Sequence, residues 1–320
     1  MKKNKIKDTG LEITELSFGT SSLGSMPDTY GYEVPEDRAQ KTLNRFFQGP
    51  VNMLDTSRNY AMGESEKRIG RAIKENGGWP KDFLLSTKLD RNMDTLVLDK
   101  NRARESLEES LKTLNVDSVD ILFLHDPEYV KDVNDVTKKD GALDELFKIK
   151  EEGLAKAVGL AMGKINIMFP ILKNWDFDVI INHNRYTLLN READEMYSYA
   201  HSKNISIFNA APYAGGVLAK GPSNFKKITY QDVTEEKLAP AREIEKVCKK
   251  YNVEMGAAAL QFSMKDKRIT STLCGVTSVQ SIEKNLTWAQ TSIPDKFWNE
   301  LLKLPFSTKD PESERIFTPG

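Results

Sequence analysis

An α/β fold in which eight parallel strands close into a barrel inside a ring of helices is what this sequence predicts, and three observations predict it. Short runs rich in Val, Ile, Leu and Phe recur along the 320 residues, each followed by a loop and then by apolar residues at helical spacing. The runs are continuous rather than alternating, which suits strands covered on both faces. No GxGxxG follows the first run, and that omission weighs against an open doubly wound sheet. A single (β/α)8 TIM barrel domain spanning residues 1–320 is therefore expected, with an amino-terminal hairpin and a carboxy-terminal extension.

Residues before Leu16 are expected to pair as the hairpin that closes the bottom of the barrel. The first four barrel strands are expected at 16–20 (LSFGT), 51–56 (VNMLDT), 83–89 (FLLSTKL) and 119–125 (VDILFLH). The other four are expected at 155–161 (AKAVGLA), 177–183 (FDVIINH), 205–211 (ISIFNAA) and 269–275 (ITSTLCG). Apolar residues at helical spacing place helices near 36–48, 64–76, 100–114, 143–152, 165–173, 192–203, 235–251 and 279–290, with an extra helix at 294–304. No repeat or linker suggests a second domain. The longest irregular stretches, 127–141, 212–231 and the tail from Pro305, are expected to be loops over a site.

Composition narrows the function. Lys and Arg total 46 against 47 for Asp and Glu, so no basic excess argues for nucleic acid or an anionic membrane surface. The basic MKKNKIKD start runs into GLEITELSF, too broken by acids for a signal core or a membrane span, so a cytoplasmic location is expected. The only cysteines, Cys248 and Cys274, have neither CxxC nor zinc-ligand spacing and read as reduced, buried thiols. Three histidines leave little material for a histidine-rich metal site, and no metal is expected.

In a barrel of this kind, polar residues at the carboxyl ends of the strands point into one mouth. Asp55, Lys88 and His125 end the second, third and fourth expected strands, and Tyr60 follows Asp55 on its loop. An ammonium beside a phenol favours the phenolate, so Lys88 is expected to lower the pKa of Tyr60, while Asp55 pairs with Lys88. His125 is then placed to hydrogen-bond the same substrate oxygen. Taken singly, a strand-end Asp is an ordinary turn residue, a Lys is solvated and a lone His is structural. Four at successive strand ends suit carbonyl reduction or alcohol oxidation beside a bound hydride carrier.

The segment LDTSRNYAMGESEKRIGRAI, with Asp55, Tyr60, Gly63, Glu66 and Gly70, resembles the signature of the aldo-keto reductase superfamily; STK at 86–88 and LHDP at 124–127 resemble two further motifs. The resemblance covers nearly the whole chain. It implies Asp55, Tyr60, Lys88 and His125 as a catalytic tetrad, with a nicotinamide dinucleotide bound across the barrel mouth. VGLAMGK, FDVIINHNRYTLLNRE and HDP resemble more closely the aldose 1-dehydrogenase branch, which oxidises the anomeric hydroxyl of an aldose to a lactone and includes L-fucose, D-threo-aldose and pyridoxal dehydrogenases. Where most relatives carry Ser-Asn, Gln and a ring-stacking Tyr around the nicotinamide, this chain has Ala161 and Met162, His183 and Ala210.

The resemblance also implies the remaining cofactor contacts. Gly215, Gly216 and the start of the helix near Ser278 would receive the pyrophosphate, where free backbone N–H groups favour anions. Within GVTSVQSIEKN, which begins at Gly275, NADP-preferring relatives carry cations at the positions of Ser278 and Ser281, while Glu283 and Asn285 match adenine contacts. Without those cations NAD is the expected cofactor, NADP the alternative, with Lys284 able to rescue phosphate binding. The expected reaction is NAD-dependent oxidation of an aldose at C1, with Tyr60 as general base. The alternatives are NADPH-dependent reduction of small aldehydes or ketones, pyridoxal oxidation, or a non-catalytic dinucleotide-binding partner protein. The expected partner is a small sugar or aldehyde, and the resemblance implies a monomer or homodimer. Loops at 26–33 and 127–141 and the tail near Arg315 and Phe317 are expected to build its pocket. Trp79 and Trp175 read either as sugar-stacking or as packing residues.

Overall fold

The structure, a computed structural model, describes residues 1–315. Two short antiparallel strands open the chain, β1 (Lys3–Ile6) and β2 (Leu11–Thr14), paired from Lys3 opposite Thr14 to Ile6 opposite Leu11. The barrel strands follow as β3 (Leu16–Gly19), β4 (Met53–Asp55), β5 (Leu84–Leu89), β6 (Val119–His125), β7 (Ala155–Met162), β8 (Val179–His183) and β9 (Ser206–Ala210). A small hairpin, β10 (Lys227–Ile228) with β11 (Gln231–Asp232), precedes the last barrel strand, β12 (Ser271–Gly275). All eight barrel strands run parallel, and β12 closes the ring by pairing with both β3 and β9.

Alternation along each strand sorts the core into two layers. Met53, Ile121, Phe123, Val179 and Phe208 fill the barrel interior, plugged from below by Ile6 and Ile13 of the hairpin. Their neighbours in sequence, such as Leu54, Leu122, Val158 and Ile180, face outward and pack under the helices. Both layers are apolar because each strand has two covered faces. The polar ends of the strands are left to gather at the carboxyl mouth.

The eight expected helices form with shifted ends, for example Ala142–Glu151 and Asp194–Ser202, and the extra helix is Asp295–Leu301. Beyond three single-turn helices, Pro27–Tyr30, Asn134–Thr137 and Val217–Lys220, one longer helix was not expected, Met255–Met264, which lies between Glu235–Lys250 and β12. Eight of its residues are buried, around its whole circumference, so MGAAALQFSM shows no polar stripe for a periodicity argument to find. Cys248 and Cys274 are both buried free thiols. No described helix is long and apolar enough to cross a membrane.

Candidate active site

The segment after β4 shows how the local sequence places Tyr60. It sits in a single turn, Tyr60–Gly63, in which Ala61 and Met62 adopt φ of 51° and 52° and Gly63 adopts φ of 92°. Such left-handed geometry costs a residue with a side chain about 1–2 kcal/mol, and surrounding structure must hold it. Gly24 provides part of that hold, since a Cβ there would lie 2.6 Å from the Ala61 Cβ. The helix Glu64–Glu75 then locks the turn to the barrel. Glu66 is fully buried and accepts a hydrogen bond from Thr87 Oγ1 at 2.6 Å, its carboxyl pushed up to about 7 by burial. Gly70 lets the helix approach its neighbour, for a Cβ there would meet the Thr113 carbonyl oxygen at 2.1 Å. The glycines and glutamate of the signature thus hold Tyr60 in place rather than touch the mouth.

Around Tyr60 the strand ends converge. Lys88 Nζ lies 2.8 Å from Asp55 Oδ2, 2.5 Å from the Thr56 carbonyl oxygen and 3.1 Å from the Tyr60 hydroxyl. Asp55 accepts a further bond from Ser86 Oγ at 2.7 Å. The Lys88 and Asp55 side chains are 1% and 2% exposed, so the pair survives because each charge finds fixed partners in place of water. His125 meets the Tyr60 ring edge-on, with centroids 5.8 Å apart. The expected effect on Tyr60 is reversed: burial first, and then the negative charge of Asp55, hold its phenol well above the usual tyrosine range. In this state the Tyr60 hydroxyl is held protonated.

Asp90, two residues beyond Lys88, is the neighbour that sequence reasoning missed. It is fully buried, and its Oδ1 lies 2.6 Å from His125 Nδ1. Its Oδ2 accepts from Ser57 Oγ at 2.5 Å and from the Asn59 N–H at 3.0 Å. Burial opposes the charge on Asp90, but His125 and the Ser57 hydroxyl hold its carboxyl below the usual carboxylate range. The available signal was an acid just past a strand-end lysine, in LDRN, but an acid in a loop after a strand is by itself an ordinary turn residue.

A cavity of about 340 Å³ runs from this cluster across the mouth. Asp55, Tyr60, Lys88 and His125 line one side, and His183, Gly215, Gly216 and Gly275 line the other. The first-strand loop contributes Met26, Thr29, Tyr30 and Tyr32, while the stretch 127–141 contributes Tyr129 alone. Tyr30 meets Tyr230 edge-on at 5.6 Å, and Lys220 stands 5.6 Å over the Tyr32 ring, so the loops after β3 and β9, which flank β12, touch above the groove. Trp175 stacks on Phe147 at 5.5 Å and Trp79 packs against Phe46 and Phe47, both away from the cavity. Phe317 lies outside the described residues.

This groove fits a dinucleotide on the structure's own terms. A Cβ at Gly275 would meet no atom closer than Ser22 Oγ at 4.0 Å, which leaves its backbone open to close approach, while Gly215 and Gly216, at φ of 74° and 119°, turn the side where a Cβ would stand against the Thr229–Tyr230 backbone and the Phe225 ring. Lys220, its pKa lowered by burial, provides a cation beside them. The cavity reaches Gly275 and Thr277, but Ser278, Ser281, Glu283 and Asn285 are not among the residues that line it. Ser278 and Ser281 form a reciprocal cap on the helix Val279–Gln290, and Ser281 Oγ also accepts from the Thr277 N–H at 3.0 Å. Glu283 pairs with Arg45 at 2.5 Å, and Asn285 accepts from the Tyr213 hydroxyl at 2.5 Å. Lys284 lies 4.7 Å over the Trp288 ring and 4.0 Å from Glu254. A cation does reach the loop from elsewhere: Arg38 donates from Nε to the Thr277 carbonyl at 2.7 Å.

His183 owes its surroundings to the tail. Arg185, fully buried, pairs with Asp310 at 2.6 Å and Glu312 at 2.9 Å, and Asn184 donates to Glu312 at 2.7 Å. Glu312 Oε1 lies 3.9 Å from His183 Nδ1, yet burial keeps the His183 pKa below its usual value. Arg315, next along the tail, lines the cavity.

The sequence profile of the aldo/keto reductase family matches residues 15–304. The chain belongs to the aldo/keto reductase family. As a member it is an oxidoreductase, and nicotinamide cofactors are those the family uses. This reductase-family chain is 31% identical to L-galactose dehydrogenase of Arabidopsis thaliana over 87% of its length and 85% of the relative's. It is 28% identical to D-threo-aldose 1-dehydrogenase of a Pseudomonas species over 91% and 94% of the two chains. Among solved structures, the holo form of the aldo-keto reductase AKR11C1 from Bacillus halodurans superposes with a TM-score of 0.79, at 21% identity, over 99% of this chain and 100% of that one. The last likeness bears on the fold alone.

Proposed function

We propose that this family member, one barrel domain over residues 1–320, is an NAD-dependent aldose 1-dehydrogenase. The observation that carries the reading is the Tyr60 hydroxyl 3.1 Å from the buried Lys88 ammonium, at the mouth of a groove shaped for a dinucleotide. The likeness to L-galactose and D-threo-aldose dehydrogenases supports a sugar substrate. So does the other end of the cavity, where Asn59, Tyr129, Asp126 and Arg315 offer donors and acceptors to a polyol.

When bound, the dinucleotide supplies the hydride acceptor. The chain's own residues do the rest. Tyr60 exchanges the proton of the C1 oxygen, as base in oxidation and as acid in reduction, with Lys88 stabilising the phenolate and Asp55 anchoring Lys88. Gly215, Gly216 and Gly275 line the part of the groove that would take the pyrophosphate, and the loops joined through Tyr30 and Tyr230 cover it. The test is reduced-nicotinamide absorbance with L-galactose, L-fucose, D-arabinose and pyridoxal, each offered with NAD and with NADP. Sugar-dependent NADH formation is expected. Silence on every sugar, with consumption of NADPH by simple aldehydes, would overturn the reading.

A second reading, NADPH-dependent reduction, is favoured by one observation: Arg38 brings a cation to Thr277. The neutral capping pair Ser278 and Ser281 favours NAD instead, since a 2′-phosphate calls for a cation at the sugar edge. Replacing Ser281 with Arg is expected to raise affinity for NADP relative to NAD in a binding titration of the apoprotein. It should also cost about 0.5–1 kcal/mol of stability, because Ser281 Oγ no longer accepts from the Thr277 and Ser278 N–H groups. Unchanged discrimination would mean that the phosphate pocket lies elsewhere.

A further inference from the structure

His125 is the one group at the mouth whose two polar atoms each face a carboxylate. Nδ1 lies 2.6 Å from Asp90 Oδ1, and Nε2 lies 3.6 Å from Asp126 Oδ1. An ionised carboxylate only accepts hydrogen bonds, so Nδ1 is the donor to Asp90, while Asp126, too far from Nε2 for a hydrogen bond, acts on the ring through its charge. Asp90 is itself fixed by the Ser57 hydroxyl, the Asn59 N–H and a bond from its own N–H to Ser106 Oγ at 2.9 Å. Nothing in the tetrad requires a buried carboxylate at this point.

We propose that Asp90 is a positioning residue that holds His125 through Nδ1 and, with the charge of Asp126 beside the ring, keeps it doubly protonated, so that a free Nε2–H is a second donor to the reacting oxygen beside Tyr60. The inference rests on the site acting on a C–O bond, whichever direction is physiological. A neutral imidazole bound at Nδ1 by a carboxylate would present a lone pair at Nε2; the added negative charge of Asp126 favours a proton there as well. A cationic donor strengthens as negative charge grows on the oxygen, so it lowers the barrier more than it tightens substrate binding.

Every charged group around the ring enters the balance. Burial and the Lys88 ammonium disfavour the imidazolium, and Asp126 and Asp90 favour it; together they raise the His125 pKa above its usual value. Tyr60 meets the ring edge-on, and Glu128, its carboxyl pushed up to about 7 by burial and by Asp126, stands behind Asp126. The cationic donor is therefore present below the raised pKa and lost as pH rises through it. Removing the charge of Asp90 lowers that pKa, so an activity limb set by His125 must move to lower pH.

Asp90→Asn tests this while keeping shape. The chain has three histidines, His125, His183 and His201, so proton NMR titration of the apoprotein resolves each, with His125→Gln assigning the signal. We expect the His125 titration in Asp90→Asn to fall by roughly one pH unit. The alkaline limb of kcat should move with it, kcat should fall roughly 10-fold to 100-fold, and KM should change by less than about threefold. An unmoved His125 signal, or an unmoved limb, overturns the proposal. Should Asp90→Asn fail to fold, His125→Gln decides alone: the alkaline limb must vanish, and its persistence overturns the proposal. The NMR arm needs no substrate, and the kinetic arm runs equally on an aldehyde with reduced cofactor. Failure of sugar oxidation would therefore sink the aldose reading without touching this one.

Discussion

Tyr60→Phe is expected to lower kcat by roughly 10²-fold to 10⁴-fold, the usual worth of a positioned acid or base, while dinucleotide affinity changes by less than about threefold. The change deletes one oxygen, the atom 3.1 Å from Lys88 Nζ, and leaves the ring in its slot between Lys88 and His125. The turn that carries it is held by Gly24, Gly63 and Glu66, none of which depends on the hydroxyl. Steady-state kinetics together with a fluorescence titration of the dinucleotide check both halves. Turnover equal to the parent would sink the mechanism, and a large loss of cofactor affinity would mean that Tyr60 holds the dinucleotide rather than the reacting oxygen.

The second large effect is on stability. Arg185 is fully buried and spans two tail acids, Asp310 and Glu312, the latter 2% exposed. Arg185→Met leaves Glu312 buried without its strongest partner, and removing one member of a buried pair costs roughly 3–5 kcal/mol. Arg185→Met combined with Glu312→Leu should recover much of that loss, because no uncompensated charge remains. Urea unfolding midpoints of the two variants provide the measurement, and equal midpoints would show that the tail is held by something else. The pH dependence has a definite sign. Burial opposes the charge on Glu312, yet His183, Arg185 and Arg315 hold its folded pKa below the unfolded value. Its contribution is thus complete above the unfolded carboxylate pKa and is lost as pH falls through the lower, folded one.

These two experiments probe features of very different legibility. Asp55, Tyr60, Lys88 and His125 could be read because each follows an apolar run, and a parallel barrel sends all strand ends to one mouth. Arg185 stood out in RYTLL, but nothing local in the tail marks Asp310 and Glu312 as its partners, more than a hundred residues away. Asp90 was hidden in a different way, being an ordinary acid in an ordinary loop until the fold turned it onto His125. The helix Met255–Met264 escaped because burial on every side erased its period. Arg38 escaped because the search for a phosphate-binding cation followed the chain around Ser278, whereas the ring closure of β12 on β3 brings the helix Glu36–Phe47 to that loop.

The sequence by itself determined the barrel and the residues at its rim, because strand and helix periods are local properties and the mouth follows from parallel topology. Only the tertiary structure decided what those rim residues are chemically. Whether Tyr60 meets a substrate as acid, whether His125 carries its second proton and which charge holds the tail depend on burial and on partners separated by tens to hundreds of residues. Electrostatic energy varies with distance and dielectric, and neither is written in the order of residues along the chain.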